Sequence, residues 1–170
     1  MNSQNISKNE SSISVEAGNR YIVYNIINNM PGIRYMELKR LTGLSYGTLT
    51  YHLTMLERES KIRVVRSSRK SRYYPNMIGE IDIDIIDCVR SEICRGILLL
   101  ILREGKVTLD MLVKRIQRAK TTLKYHIDRL RAKRLIEKER VGRFVFYYVK
   151  DRRMIERITM LINWIYSTQL

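Results

Sequence analysis

Apolar and polar positions alternate along the chain in one order, and that order appears twice, 74 residues apart. In the first copy YIVYNIINNM (21–30) reads as a helix. Pro31-Gly32 stops it, because proline disfavours helix in the residue before it. Ile33 begins a new segment, and 35–41 places apolar residues at three-residue spacing, as a second short helix would. Thr42-Gly43-Leu44 reads as a tight turn, and Ser45 as the N-cap of a third helix from Tyr46 to about Glu59. Leu49, Leu53 and Leu56 give that helix one inward stripe. IRVVR and SRYY then form strand-like runs joined by SSRK, a hairpin pattern.

The second copy runs in parallel: a helix over CRGILLLILRE, a turn at Gly105 and a short helix over LDMLVKRI. A third helix covers about 121–133, and LIEKER and FVFYYV flank Val141-Gly142 as strands. Segments 21–75 and 95–149 align without a gap. Thr48, Leu49, Tyr51, His52 and Leu56 match Thr122, Leu123, Tyr125, His126 and Leu130. Ile62, Arg66, Arg69, Tyr73 and Tyr74 match Ile136, Arg140, Arg143, Tyr147 and Tyr148. These ten identities fall in 28 aligned positions and on both the helix and the hairpin, so the echo is a duplicated domain. Three helices and a hairpin, with a short turn between the last two helices, describe a winged helix-turn-helix. The expected fold is therefore mainly α with small β-hairpin wings (α+β), in two tandem domains plus a C-terminal helix. The expected boundaries are a disordered tail (1–18), a first domain (19–76), an acidic and apolar connector (77–92), a second domain (93–150) and a C-terminal amphipathic helix (151–170).

Charge adds the partner. The 170-residue chain carries 32 Lys and Arg against 17 Asp and Glu, a net charge of +15. A folded, strongly basic chain implies a polyanion: nucleic acid first, an anionic membrane surface second. No run approaches the roughly 18 apolar residues of a membrane span, and the longest, ILLLIL, is far shorter. The polar N-terminus shows no signal-peptide pattern. Two cysteines, Cys88 and Cys94, would face different ways on a single helix, which points to a reduced cytoplasmic protein.

The phrase TGLSYGTLTYHLTMLE, followed by a basic hairpin ending RYYP, resembles archaeal and bacterial winged-helix transcription regulators related to the ArsR and MarR families. The tandem pair is most similar to archaeal double winged-helix regulators, one group of which activates the euryarchaeal archaellum operon. The resemblance implies that Thr50, Tyr51 and His52 match positions that face DNA in ArsR-like helices. It covers about residues 20–150 and does not name a target gene. The Cys-x-Cys-type ligand set of ArsR-type metal sensors is missing from the sequence, and no metal or other cofactor is expected.

Reading DNA requires a rod for the major groove, side chains for base edges and cations for phosphates. With the leucine stripe inward, Gly47, Tyr51 and Thr54 point outward, Thr50 and His52 lie on opposite flanks, and Ser45, Tyr46 and Thr48 occupy the N-terminal end. The first wing crowds Arg66, Arg69, Lys70 and Arg72 against a backbone or minor groove. In the second copy Lys120, Thr121, Lys124 and Tyr125 face outward beside the repelling Asp128, and Arg140 and Arg143 flank Gly142 at the wing tip. The first copy is expected to read sequence and the second to hold backbone. For His52 and His126, packing and phosphate contact both stand as readings. One tyrosine of each Tyr-Tyr pair is expected in a core.

Two segments keep alternatives open. The connector, with Ile81, Ile83, Ile85 and Ile86, is too apolar for a free linker and is expected to pack. Met154, Ile158, Leu161, Ile162 and Ile165 share one face of the last helix, either covering a domain or forming a homodimer seam. The leading function is a double-stranded-DNA-binding transcription regulator. The alternative is a winged-helix interaction module of the basal transcription or replication machinery. RNA binding ranks third, without an RNP-type strand or GXXG loop. No glycine phosphate loop or nucleophile–base pattern suggests an enzyme.

Overall fold

Three apolar stripes and one strand edge converge in the first half of the chain: Val23 and Ile27, then Leu38, then Leu49, Leu53 and Leu56, with Ile33, Ile62 and Tyr73 closing the core. The computed structural model describes residues 3–67 and 70–167. It divides the chain into two units, Met1–Ile78 and Gly79–Leu170.

In the first unit α1 (Ser3–Asn29) leads through β1 (Ile33–Arg34) to α2 (Tyr35–Thr42) and α3 (Tyr46–Arg58). The hairpin of β2 (Ile62–Ser67) and β3 (Lys70–Pro75) follows. Helical backbone therefore enters the segment expected as a disordered tail. The α2–α3 turn works as its residues predict: Gly43 takes a left-handed φ of 66° and its N–H donates to the Lys39 carbonyl. Ser45 caps α3, accepting from the Thr48 N–H at 3.2 Å. The antiparallel sheet runs β1-β3-β2, with Tyr73 opposite Ile33 on one side and Val64 on the other. A two-residue strand shows no periodicity, which is why Ile33 read only as the start of a segment. Tyr73 and Tyr74 are both buried, so the expectation of one core tyrosine is corrected: both faces of β3 are covered there.

The second unit opens with α4 (Glu80–Val89), which falls in the segment expected as the connector; its Ile85 and Ile86 are buried and it packs on elements of its own unit. It continues through α5 (Glu92–Glu104), β4 (Lys106–Thr108), α6 (Leu109–Ile116) and α7 (Lys120–Ala132). The hairpin of β5 (Glu137–Val141) and β6 (Phe144–Tyr148) precedes α8 (Arg152–Ser167). Its sheet repeats the first, in the order β4-β6-β5. Each unit thus has the helix, strand, helix, turn, helix and hairpin order of a winged helix-turn-helix.

Acidic residues of the connector hold this unit together. Asp87 accepts from Arg129 Nη2 on α7 at 2.5 Å, Asp84 pairs with Lys133, and Asp82 pairs with Arg157 of α8. Ile158, Leu161, Ile162 and Ile165 of α8 are buried within the unit. These four side chains cover core within the unit, where a single winged helix buries little by itself. The helix break at Arg90–Ser91 also corrects the reading of the cysteines as residues of a single helix: Cys88 lies in the last turn of α4 and Cys94 in the first turn of α5. Among the described residues, no helix is long and apolar enough to cross a membrane.

Candidate nucleic-acid interface

The outer face of α3 is polar, and neighbouring aromatic residues fix it in place. Tyr46 stacks on Tyr35 of α2 with ring centroids 5.7 Å apart, and Lys39 Nζ lies 4.7 Å from the Tyr46 ring centre. The Tyr35 hydroxyl donates to the Tyr46 carbonyl at 3.0 Å and lies the same distance from Thr50 Oγ1. Ser45 Oγ and Thr48 Oγ1 are 2.9 Å apart. The N-terminal turn of α3 is therefore held rigid with its donors and acceptors at the surface. Tyr51 is 47% exposed and outward, one turn from that cluster.

His52 is the exception. It is completely buried, so its phosphate-facing reading is corrected to a packing role. Neither ring nitrogen has a hydrogen-bond partner among the described residues. Burial holds its pKa below the ordinary value, reinforced by the Arg20 charge and opposed by Glu16. The stripe residues Leu49, Leu53 and Leu56 occupy one arc of the helix, and position 52 lies close enough to that arc to turn inward.

The first wing is less free than its composition suggests. Arg66 donates to both oxygens of Glu57 on α3. Arg72 is half-buried and donates to the Gly32 carbonyl at 2.7 Å, which ties the hairpin to the turn before β1. The guanidinium expected on phosphate thus makes a structural tie, and β3 is the central strand of the sheet. Lys70 is exposed at the hairpin end, opposite Ser67. Arg69 lies outside the described residues.

In the second unit Tyr125 is 66% exposed, and Lys124 and Thr121 are exposed beside it. Lys120 is also exposed and pairs with Asp110 at 2.8 Å. At the wing, Arg140 Nε donates to the Gly142 carbonyl, while the Arg143 guanidinium lies 5.0 Å from the Phe144 ring centre. Val141, Phe144 and Val145 are exposed around it, so this wing is as apolar as it is basic. His126 is half-exposed, and its Nδ1 lies 3.1 Å from Cys94 Sγ.

Sequence reading missed Glu57, Tyr35 and Cys94 as neighbours of these positions. Each contact spans nine or more residues, beyond what spacing within one element reports.

No protein-family model matches the chain. An uncharacterized HTH-type transcriptional regulator of Methanocaldococcus jannaschii is 23% identical over 129 residues, covering 76% of this chain and 32% of that one. The chain thus spans about a third of that relative's length. Among solved structures, HlyU from Vibrio cholerae N16961 is similar with a TM-score of 0.45 and 20% identity, over 51% of this chain and 92% of that one. Reduced HlyU from the same organism gives a TM-score of 0.44 at 20% identity, over 51% of this chain and 88% of its own.

Proposed function

We propose that this chain is a sequence-specific double-stranded-DNA-binding transcription regulator, acting in the cytoplasm without an enzymatic activity or cofactor of its own. The third helices, α3 and α7, enter the major groove, and the wings lie on backbone or minor groove. One observation carries the reading: Tyr51 and Tyr125 hold the same outward position on the two helices, both exposed, in a chain of net charge +15. The printed name of the Methanocaldococcus relative supports it. The rigid, hydrogen-bonding N-terminal turn of α3 makes the first unit the reader of sequence. Lys120 and Lys124 make the second a holder of backbone. Within this reading, the archaeal double winged-helix regulators, including the archaellum-operon group, supply the candidate class of target promoter.

Selection of binding sites from random duplex DNA tests this, followed by a salt series on the winning and scrambled duplexes. A preference of about a thousandfold or more is expected for a specific binder. Tyr51→Ala should lose discrimination, whereas Lys124→Ala should weaken all duplexes alike and reduce the salt slope by about one. Equal binding of every duplex by the wild type sinks the proposal.

The exposed Val141, Phe144 and Val145 favour a second reading, in which the second wing docks on protein of the transcription machinery. Phe144→Ser separates the two. Unchanged DNA affinity together with loss of a polymerase-bound complex would support the second.

A further inference from the structure

An open groove of about 660 Å³ runs between α5 and α6 of the second unit. Gly96, Leu99, Leu100 and Ile116 contribute its apolar surface, and Arg95, Arg103, Arg115 and Arg118 line it with guanidinium groups. Glu92 is the one carboxylate among the described residues that line it. We propose that this groove binds an amphipathic aliphatic anion, a hydrocarbon chain ending in a carboxylate or phosphate head.

Arginines on a strongly basic chain are ordinarily solvated surface, and the duplication argues against that reading here. The 74-residue offset holds through both helices of the groove. The second of them, α6 (Leu109–Ile116), is α2 (Tyr35–Thr42) shifted by that offset. The residues that follow, Gly43 and Gln117, both take a left-handed φ, at 66° and 54°. Ile97 and Ile101 are buried on α5 as Val23 and Ile27 are on α1. At the groove the two copies part. Tyr21, Asn29, Leu41 and Leu44 stand where the second copy has Arg95, Arg103, Arg115 and Arg118, and Ile22 stands where it has Gly96. The fold therefore needs neither the four arginines nor the glycine.

A glycine inside a helix weakens it relative to alanine, and here the missing side chain leaves space. A Cβ at Gly96 would lie 3.7 Å from Ile116 Cδ1, so a longer side chain would occupy the groove beside Ile116. Arg103 is tied to Glu104 at 2.9 Å, and Arg95 to the Val89 carbonyl and to Tyr166 of α8. Arg115 and Arg118 are exposed and make no hydrogen bond or ion pair among the described residues. A planar guanidinium pairs with a carboxylate or phosphate through two parallel hydrogen bonds, which sets the head of the ligand. No aromatic ring is among the described residues that line the groove, so the body is a flexible chain rather than a stacked ring. The volume falls within the range of about 300–1,000 Å³ typical of small-molecule sites.

No residue of α7 or of the second wing is among those lining the groove, so it is separate from the surface assigned to DNA. Arg118 stands in the turn between α6 and α7, and an occupant held there bears on the start of a recognition helix. That regulatory consequence rests on the DNA-binding reading, and the binding itself does not.

The test titrates full-length protein, carrying isotope-labelled Ile and Leu methyl groups, with decanoate and with decyl phosphate below their critical micelle concentrations. Methyl NMR signals of Leu99, Leu100 and Ile116 should move, while those of Leu49 and Leu53 in the first unit stay. Uncharged decanol should bind at least about tenfold more weakly, as expected when a hydrogen bond to a charged group is missing. Arg115→Gln combined with Arg118→Gln should weaken both anions by a similar factor and leave decanol unchanged. Gly96→Ile, which places the first copy's residue in the groove, should abolish binding of all three while thermal unfolding stays cooperative. The anion that binds more tightly identifies the head. The proposal is overturned if neither anion moves the groove methyls, or if the double arginine variant binds both as the wild type does. A scrambled duplex that moves those methyls where neither anion does would assign the arginines to the DNA backbone instead. The anion titration needs no DNA, so its failure is distinct from failure of the DNA-binding reading.

Discussion

Arg66 on β2 donates two hydrogen bonds to the Glu57 carboxylate in the last turn of α3, at 2.7 and 2.5 Å. The contact joins the first wing to the helix in front of it, and the hydrogen bond from Arg66 lowers the Glu57 pKa. Arg66 is 62% exposed, and such surface pairs contribute only about 0–1 kcal/mol. A phosphate can therefore compete for the guanidinium at little cost in stability.

Glu57→Gln should accordingly raise affinity for every duplex and steepen the salt dependence by about one counterion, since a freed arginine adds a phosphate contact. Fluorescence anisotropy across a salt series reads both. An unchanged slope would show that Arg66 does not reach DNA.

His52 makes the first unit sensitive to acid. Its folded pKa lies below the ordinary 6.5, so the unfolded chain binds the proton more readily. Stability is full above pH 6.5 and falls as pH drops through that value, with a slope of at most about 1.4 kcal/mol per pH unit for one proton. Below the folded pKa the loss levels off. Urea unfolding of wild type and His52→Leu between neutral and mildly acidic pH checks this, and the variant should lose the histidine component.

Arg129 and Asp87 are both largely buried, with side chains 28% and 23% exposed. Arg129→Ala leaves the Asp87 carboxylate without this donor and should cost about 1.5–3 kcal/mol, the range for hydrogen bonds to charged groups. Chemical denaturation measures the loss. A change below a few tenths of a kcal/mol would mean that α4 does not depend on this tie.

Ser45→Ala removes the side chain that receives the Thr48 N–H and should destabilise α3 by about 1 kcal/mol. Ser45→Asp should retain most of the stability, because a carboxylate also caps a helix N-terminus. Thermal unfolding of the three proteins gives the ranking.

Local pattern carried much of this organisation. The Leu49, Leu53 and Leu56 stripe, the Thr42-Gly43-Leu44 turn and the Ser45 cap each depend on neighbours within a few residues, and α3 starts where they place it. The outward positions of Tyr51 and Tyr125 follow from the same stripe. His52 was ambiguous because it borders the stripe, and only packing against α1 and the sheet determines that it is covered.

By itself, the sequence determined the duplicated unit, its helices and hairpins and the basic charge, because these follow from periodicity, turn chemistry and composition. The tertiary structure alone decided which charges remain free. Arg66 turns to Glu57, Arg72 to Gly32 and Lys120 to Asp110, each across a span that no helical or strand period encodes. It also decided that Cys94 lies beside His126, 32 residues further along the chain. The physical reason is range: backbone preferences act over a few residues, whereas pairing of side chains depends on which surfaces the core brings together.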